Sequence, residues 1–67
     1  MGPHSALKSW LKRQGIKPGT FAGRIEYDRG NFHRLLKGEF NPSLQLAARI
    51  ERETAGEVPM SIWAEAA

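Results

Sequence analysis

Apolar residues recur three and four positions apart along this chain, which predicts amphipathic helices rather than strands. Glycine and proline divide the chain into short pieces. The first, Ser5–Gln14, sets Leu7, Trp10 and Leu11 on one face and Lys8, Lys12 and Arg13 away from it. Ser5 is its expected N-cap, and Gly15 its expected left-handed stop. The second runs from about Pro18 to Ile25, with Phe21, Ala22 and Ile25 as its apolar stripe. Pro18 suits a first helical position, where its missing N–H costs nothing. Gly19 and Gly23 each weaken this helix by up to about 1 kcal/mol relative to alanine, which points to close packing there.

The third piece is Arg29–Lys37, with Asp28 as cap, Phe32, Leu35 and Leu36 inside, and Gly38 as stop. A short loop, Glu39-Phe40-Asn41, follows. The fourth piece begins at Pro42 or Ser43 and ends near Ala55-Gly56. Leu44, Ala47, Ala48 and Ile50 are its expected core contacts; Arg49, Glu51, Arg52 and Glu53 decorate the outside. The last piece, Pro59–Glu65, is short. Val58, Met60, Ile62 and Trp63 give this chain end much apolar surface, so they are the expected dimer contacts. The alternative for Trp63 is a place in the chain's own core. Met1–His4 is expected to be a disordered tail, leaving one domain over 5–67.

With 67 residues the chain holds one small domain, whose core is marginal enough for dimerisation to help. It has no cysteine, which excludes disulfides and thiolate metal sites. Its two histidines, His4 and His33, are too far apart in sequence to suggest zinc, so no metal or cofactor is expected. No apolar run is long enough for a bilayer and no signal segment is read, so the cytoplasm is the expected location. The net charge of +3 is unevenly spread. Residues 1–37 carry eight Lys or Arg against two acids, and residues 38–67 carry two Arg against five Glu. The basic half suits an anionic partner, nucleic acid first. Charge alone also fits an unevenly charged solvated surface.

The motif narrows this. Three residues, Glu26-Tyr27-Asp28, join two short helices, the signature of a helix-turn-helix over about 18–37. Phe21-Ala22, Ile25, Asp28, Phe32, Arg34-Leu35-Leu36, Gly38 and Pro42-Ser43 stand in an ordered set that resembles the lambda-repressor and Cro-like (XRE-type) family. Leu44-Gln45-Leu46-Ala47-Ala48-Arg49-Ile50-Glu51, followed by Thr54-Ala55-Gly56-Glu57-Val58, is similar to the fourth helix of small phage-type members. The resemblance covers about residues 5–63. It implies an all-α, four-to-five-helix domain whose recognition helix enters a major groove.

That resemblance puts base reading on Arg29, Gly30, Asn31, His33 and Arg34, and backbone contact on Lys17, Thr20, Arg24 and Lys37. The chemistry agrees: arginine can bond guanine O6 and N7 bidentately, and a side-chain-free Gly30 would let the helix enter deeply. Asn31 can read adenine or bond within its own helix turn. Three departures stand out. Glu26 occupies a turn position where the family often has glycine, so a positive φ there would be strained. Lys17-Pro18 stands where the family often has Ser-Gln. Tyr27 is bulkier than the usual aliphatic residue.

No catalytic set is read: the serines lack a neighbouring histidine–acid pair, and no phosphate-cradling glycine loop occurs. The expectation is therefore a non-enzymatic, sequence-specific regulator of transcription, a homodimeric repressor of a phage-derived locus on a palindromic duplex operator. No small-molecule ligand and no membrane contact are expected. The rival reading is a protein-interaction module, an antitoxin or adaptor on the same fold.

Overall fold

The computed structural model describes residues 2–65, and its described residues form five helices and no strand. These are α1 (Pro3–Gln14), α2 (Pro18–Arg24), α3 (Arg29–Leu36), α4 (Leu44–Glu53) and α5 (Ser61–Glu65). The all-helical architecture follows the periodicity, and most bounds differ from the expected ones by a residue or two.

Helix α1 starts two residues before Ser5. Pro3 takes the first helical position, and Gly2, which has no side chain to bond, is the N-cap. Pro3 and His4 are therefore not a tail. The Nε2 of His4 donates to the Phe40 carbonyl at 2.9 Å, and its ring meets Trp63 edge-on with centroids 5.2 Å apart. This ties the first turn to the α3–α4 loop and to α5.

One core joins the five helices. Leu7 and Leu11 of α1, Phe21 of α2, Phe32 and Leu35 of α3, and Leu46 and Ile50 of α4 are all buried in it. Phe21 lies between Trp10 and Phe32, with centroids 5.8 and 5.5 Å away. Full burial of each such side chain contributes about 1.5–3 kcal/mol. Leu46 was not among the expected core contacts, whereas Leu44, which was, is 77% exposed. The Ser43 Oγ accepts from the Leu46 N–H at 3.2 Å and starts the helix at Leu44, and at 3.6 residues per turn Leu44 lies outside the arc shared by the buried Leu46, Ala47 and Ile50.

The C-terminal apolar residues belong to the chain's own core. Val58 is 1% and Trp63 5% exposed, and Met60 and Ile62 pack half-buried against them. This corrects the expected dimer patch. The residues from Thr54 onward fold back under polar control: the Thr54 Oγ1 donates to the Glu51 carbonyl and accepts from the Val58 N–H at 3.1 Å. Glu51 accepts from the Met60 N–H at 2.8 Å, and Glu57 accepts from the Trp10 Nε1–H at 3.0 Å. Glu51 is thus a strut between α4 and the segment before α5.

The first four helices end in one hydrogen-bond pattern. After α1, the Gly15 and Ile16 N–H groups donate back to the Lys12 and Leu11 carbonyls. The same pair of bonds closes α2 (Glu26 to Gly23, Tyr27 to Ala22), α3 (Gly38 to Leu35, Glu39 to Arg34) and α4 (Ala55 to Arg52, Gly56 to Glu51). This is the Schellman motif, which needs a left-handed residue at its turn. Gly15 and Gly38 supply it with φ of 67° and 84°. Glu26 and Ala55 adopt it without glycine, at φ of 54° and 55°.

Candidate nucleic-acid interface

The local order of α3 begins with its cap. The Asn31 N–H donates to the Asp28 carboxylate at 2.9 Å, as the sequence predicts. Phe32, Leu35 and Leu36 hold one side of α3 in the core, with α1 and α2 packed against it. At 3.6 residues per turn the opposite arc carries Arg29, Gly30, His33, Arg34 and Lys37. All five are exposed. Asn31 is exposed too, at the arc's far edge beside Leu35. Lys17, Thr20 and Arg24 stand exposed on and just before α2. The nine candidate contacts thus all lie on the α2–α3 pair and its immediate flanks.

Two glycines acquire roles that composition did not reveal. A Cβ on Gly19 would come within 3.0 Å of the Arg29 Cδ. Gly19 therefore leaves the channel along which the Arg29 stem crosses the start of α2. This is the close packing expected at Gly19. At Gly23 no such contact exists, since a Cβ there would meet nothing within 4 Å. A Cβ on Gly30 would stand 3.2 Å from the Asp28 Oδ2. The missing side chain thus protects the helix cap, besides leaving the outer surface open.

Arg34 is not wholly unengaged. Its Nε donates to the Glu39 Oε1 at 3.1 Å, an exposed pair held by the turn after α3. Such pairs are worth about 0–1 kcal/mol, so a bidentate acceptor on a base edge can displace it. Among the described residues, Arg24, Arg29, His33 and Lys37 have no side-chain hydrogen bond or ion pair.

The turn meets the expectation of strain, since Glu26 holds the left-handed conformation. Its surroundings are more basic than the sequence order suggests. Arg24, Glu26, Arg49, Arg52 and Glu53 line a small cleft of about 230 Å³, and the Arg49 Nη1 donates to the Ile25 carbonyl at 3.3 Å. Arg49 thus satisfies a carbonyl at the end of α2 instead of only decorating α4. The arginines of the acidic half are turned toward the helix-turn-helix, which a charge count along the chain cannot show. A larger cleft of about 820 Å³ lies between α1 and α3, where His33 and Lys37 face Lys8, Lys12 and Lys17.

Among the described residues, no group of His, Asp or Glu is placed to hold a metal ion, and no helix is long and apolar enough to cross a membrane. What the arrangement offers chemically is a cationic helix face backed by the core, with guanidinium, imidazole and ammonium groups exposed. Comparison with protein-family models, with curated proteins and with solved structures gave no match to this chain.

Proposed function

We propose that the chain is a sequence-specific, double-stranded-DNA-binding regulator of transcription that lays α3 in the major groove. The observation that carries this reading is the exposed arc Arg29–Gly30–His33–Arg34–Lys37 on a capped helix whose other side is fully buried. Arg29 and Arg34 read base edges there, with Gly30, Asn31 and His33 beside them. Lys17, Thr20, Arg24 and Lys37 hold the phosphate backbone and set the register. Gly19, having no side chain, leaves room for the Arg29 stem to cross the start of α2.

One recognition helix spans only a few base pairs. The protein therefore works as a two-fold pair on a palindromic operator, with half-sites about one helical turn apart. It represses by occupying promoter DNA, in the manner the resemblance to small phage-type regulators implies. The test is an affinity measurement on random duplex DNA at two salt concentrations, followed by footprinting on the DNA flanking its own coding region. Binding that weakens with salt, and then a protected palindrome, is the expected result. No duplex affinity at low salt would overturn the reading.

A further inference from the structure

The DNA contacts assigned above lie on α2, α3 and their flanks, yet the cations continue onto α1. Lys8 and Lys12 of α1 line the cleft between α1 and α3 opposite His33 and Lys37, and Lys17 joins them just before α2. All four lysines are exposed, and among the described residues no Asp or Glu lines the cleft or pairs with any of them. Leu11 and Leu36, which also reach the cleft, are core residues only 3% and 7% exposed. The accessible chemistry of the cleft is therefore that of its charged rim. A small anion could meet only one or two ammonium groups spread over three elements in this way, whereas a chain of phosphates can meet them all.

The spacing on α1 suits such a chain. Lys8 and Lys12 are one turn apart on the same face, about 6 Å along the helix axis. Each strand of a duplex advances about 3.4 Å along its axis per phosphate, and a lysine carries its charge on a flexible four-carbon stem. Two phosphates of one strand are thus within reach together. Arg13 of the same helix is exposed but lies outside the cleft.

We infer that one strand of the duplex backbone runs along this cleft, held by Lys8 and Lys12 as well as by Lys17 and Lys37. The inference rests on the DNA-binding reading and extends it, making α1 a second backbone-binding helix. Phosphates carry no direct sequence information, so these two lysines raise the affinity for every sequence and leave the preference among sequences unchanged.

The test measures the affinity of the intact chain for a short random duplex across a series of salt concentrations. The chains compared are wild type, Lys8→Gln, Lys12→Gln, the double variant and Arg13→Gln. Each lost contact should lower the slope of log affinity against log salt by about 0.9, hence by about 1.8 in the double variant, while Arg13→Gln keeps the wild-type slope. Thermal melts should coincide, because all three side chains are exposed. A second arm applies phosphate-ethylation interference to the footprinted operator: some phosphates should interfere with the wild type and no longer with the double variant. Unchanged slopes in the lysine variants would overturn the inference and leave α3 as the reading helix. An equal drop in Arg13→Gln would reduce the effect to net charge and overturn it too. A loss confined to the operator, absent on random duplex, would contradict a backbone role. Wild-type protein without duplex affinity would reject the DNA-binding reading and this extension together.

Discussion

Around α4 and α5 several polar side chains are bonded to neighbouring segments, whereas along α3 the cations mostly stand in solvent. Glu51, Thr54 and Glu57 each bond the backbone or an indole of a neighbouring segment, and Ser43 caps its helix. Arg24, Arg29, His33 and Lys37 bond nothing among the described residues. Both regions contribute to the same core, with Phe32 and Leu35 on one side and Ile50, Val58 and Trp63 on the other. Burial therefore does not distinguish them. The sign of the uncommitted groups does: the exposed α4 residues without a described partner include both Arg52 and Glu53, whereas the arc of α3 holds Arg29 and Lys37 with no acid among them, which suits an external anion.

Breaking the inward region should give the largest effect on stability. Trp63→Ala removes a large side chain that is 5% exposed, and such truncations cost about 3–5 kcal/mol. The Trp63 Nε1 is buried without a hydrogen-bond partner, which places the expected loss at the lower end of that range. In a domain of this size each kcal/mol lowers Tm by about 4–8 °C. A thermal melt should show the drop, and sedimentation velocity should show an unchanged monomer–dimer balance. A variant with an unchanged Tm and a smaller assembly would return Trp63 to an interface.

Breaking the outward region should leave the fold intact and change binding alone. Arg29→Ala is expected to cost about 1–3 kcal/mol on the footprinted operator and to relax its base preference, with an unaltered melt. Gly19→Ala should mimic part of this loss, because its Cβ would crowd the Arg29 stem at 3.0 Å. Full operator affinity in both variants would remove Arg29 from the reading face.

The contrast between the two regions was only half legible in the sequence. Helix positions, the Asp28 cap, the Gly15 stop and the exposed arc of α3 all follow from local rules, because each depends on residues within a turn or two. What escaped depends on contacts between distant residues. His4 looks like part of a tail until Phe40 and Trp63 are brought beside it, 36 and 59 positions along the chain. Leu46 rather than Leu44 faces the core because Leu46, Ala47 and Ile50 share the arc of α4 that meets the other helices, and which arc meets them is set by the tertiary packing. The C-terminal apolar run was legible as apolar, but its destination was not. Nothing in Val58 or Trp63 alone says whether a second chain or the first one covers them. Gly19 carried a signal, a costly glycine in a short helix, and its meaning needed the path of Arg29.

The turns offer a smaller test. Left-handed backbone costs a non-glycine residue about 1–2 kcal/mol, so Glu26→Gly and Ala55→Gly should each stabilise the chain by about 1 kcal/mol. The unfolded-state entropy of glycine trims the gain. Denaturant melts should show both midpoints rising without a change in slope. If only Ala55→Gly stabilises, the Glu26 carboxylate beside Arg24, Arg49 and Arg52 offsets its own strain.

The smallest expected effect concerns the one polar contact that crosses the contrast. Arg34 belongs to the outward face but is held by Glu39 at 3.1 Å. Both side chains are about half exposed or more, at 60% and 45%, so the pair contributes at most a few tenths of a kcal/mol to stability. Glu39→Gln should therefore barely move the melt. Its effect on DNA has two parts with the same sign. Arg34 is released for base contact, and a carboxylate that would face the phosphates is removed. Operator affinity should rise by about 0.5 kcal/mol, and the rise should shrink at higher salt because it is electrostatic and surface-exposed. Making the same change in an Arg34→Ala background separates the parts: a gain that persists there comes from phosphate repulsion, and one that vanishes comes from freeing Arg34. Weaker binding by Glu39→Gln would mean that the ion pair orients Arg34 for reading rather than occupying it.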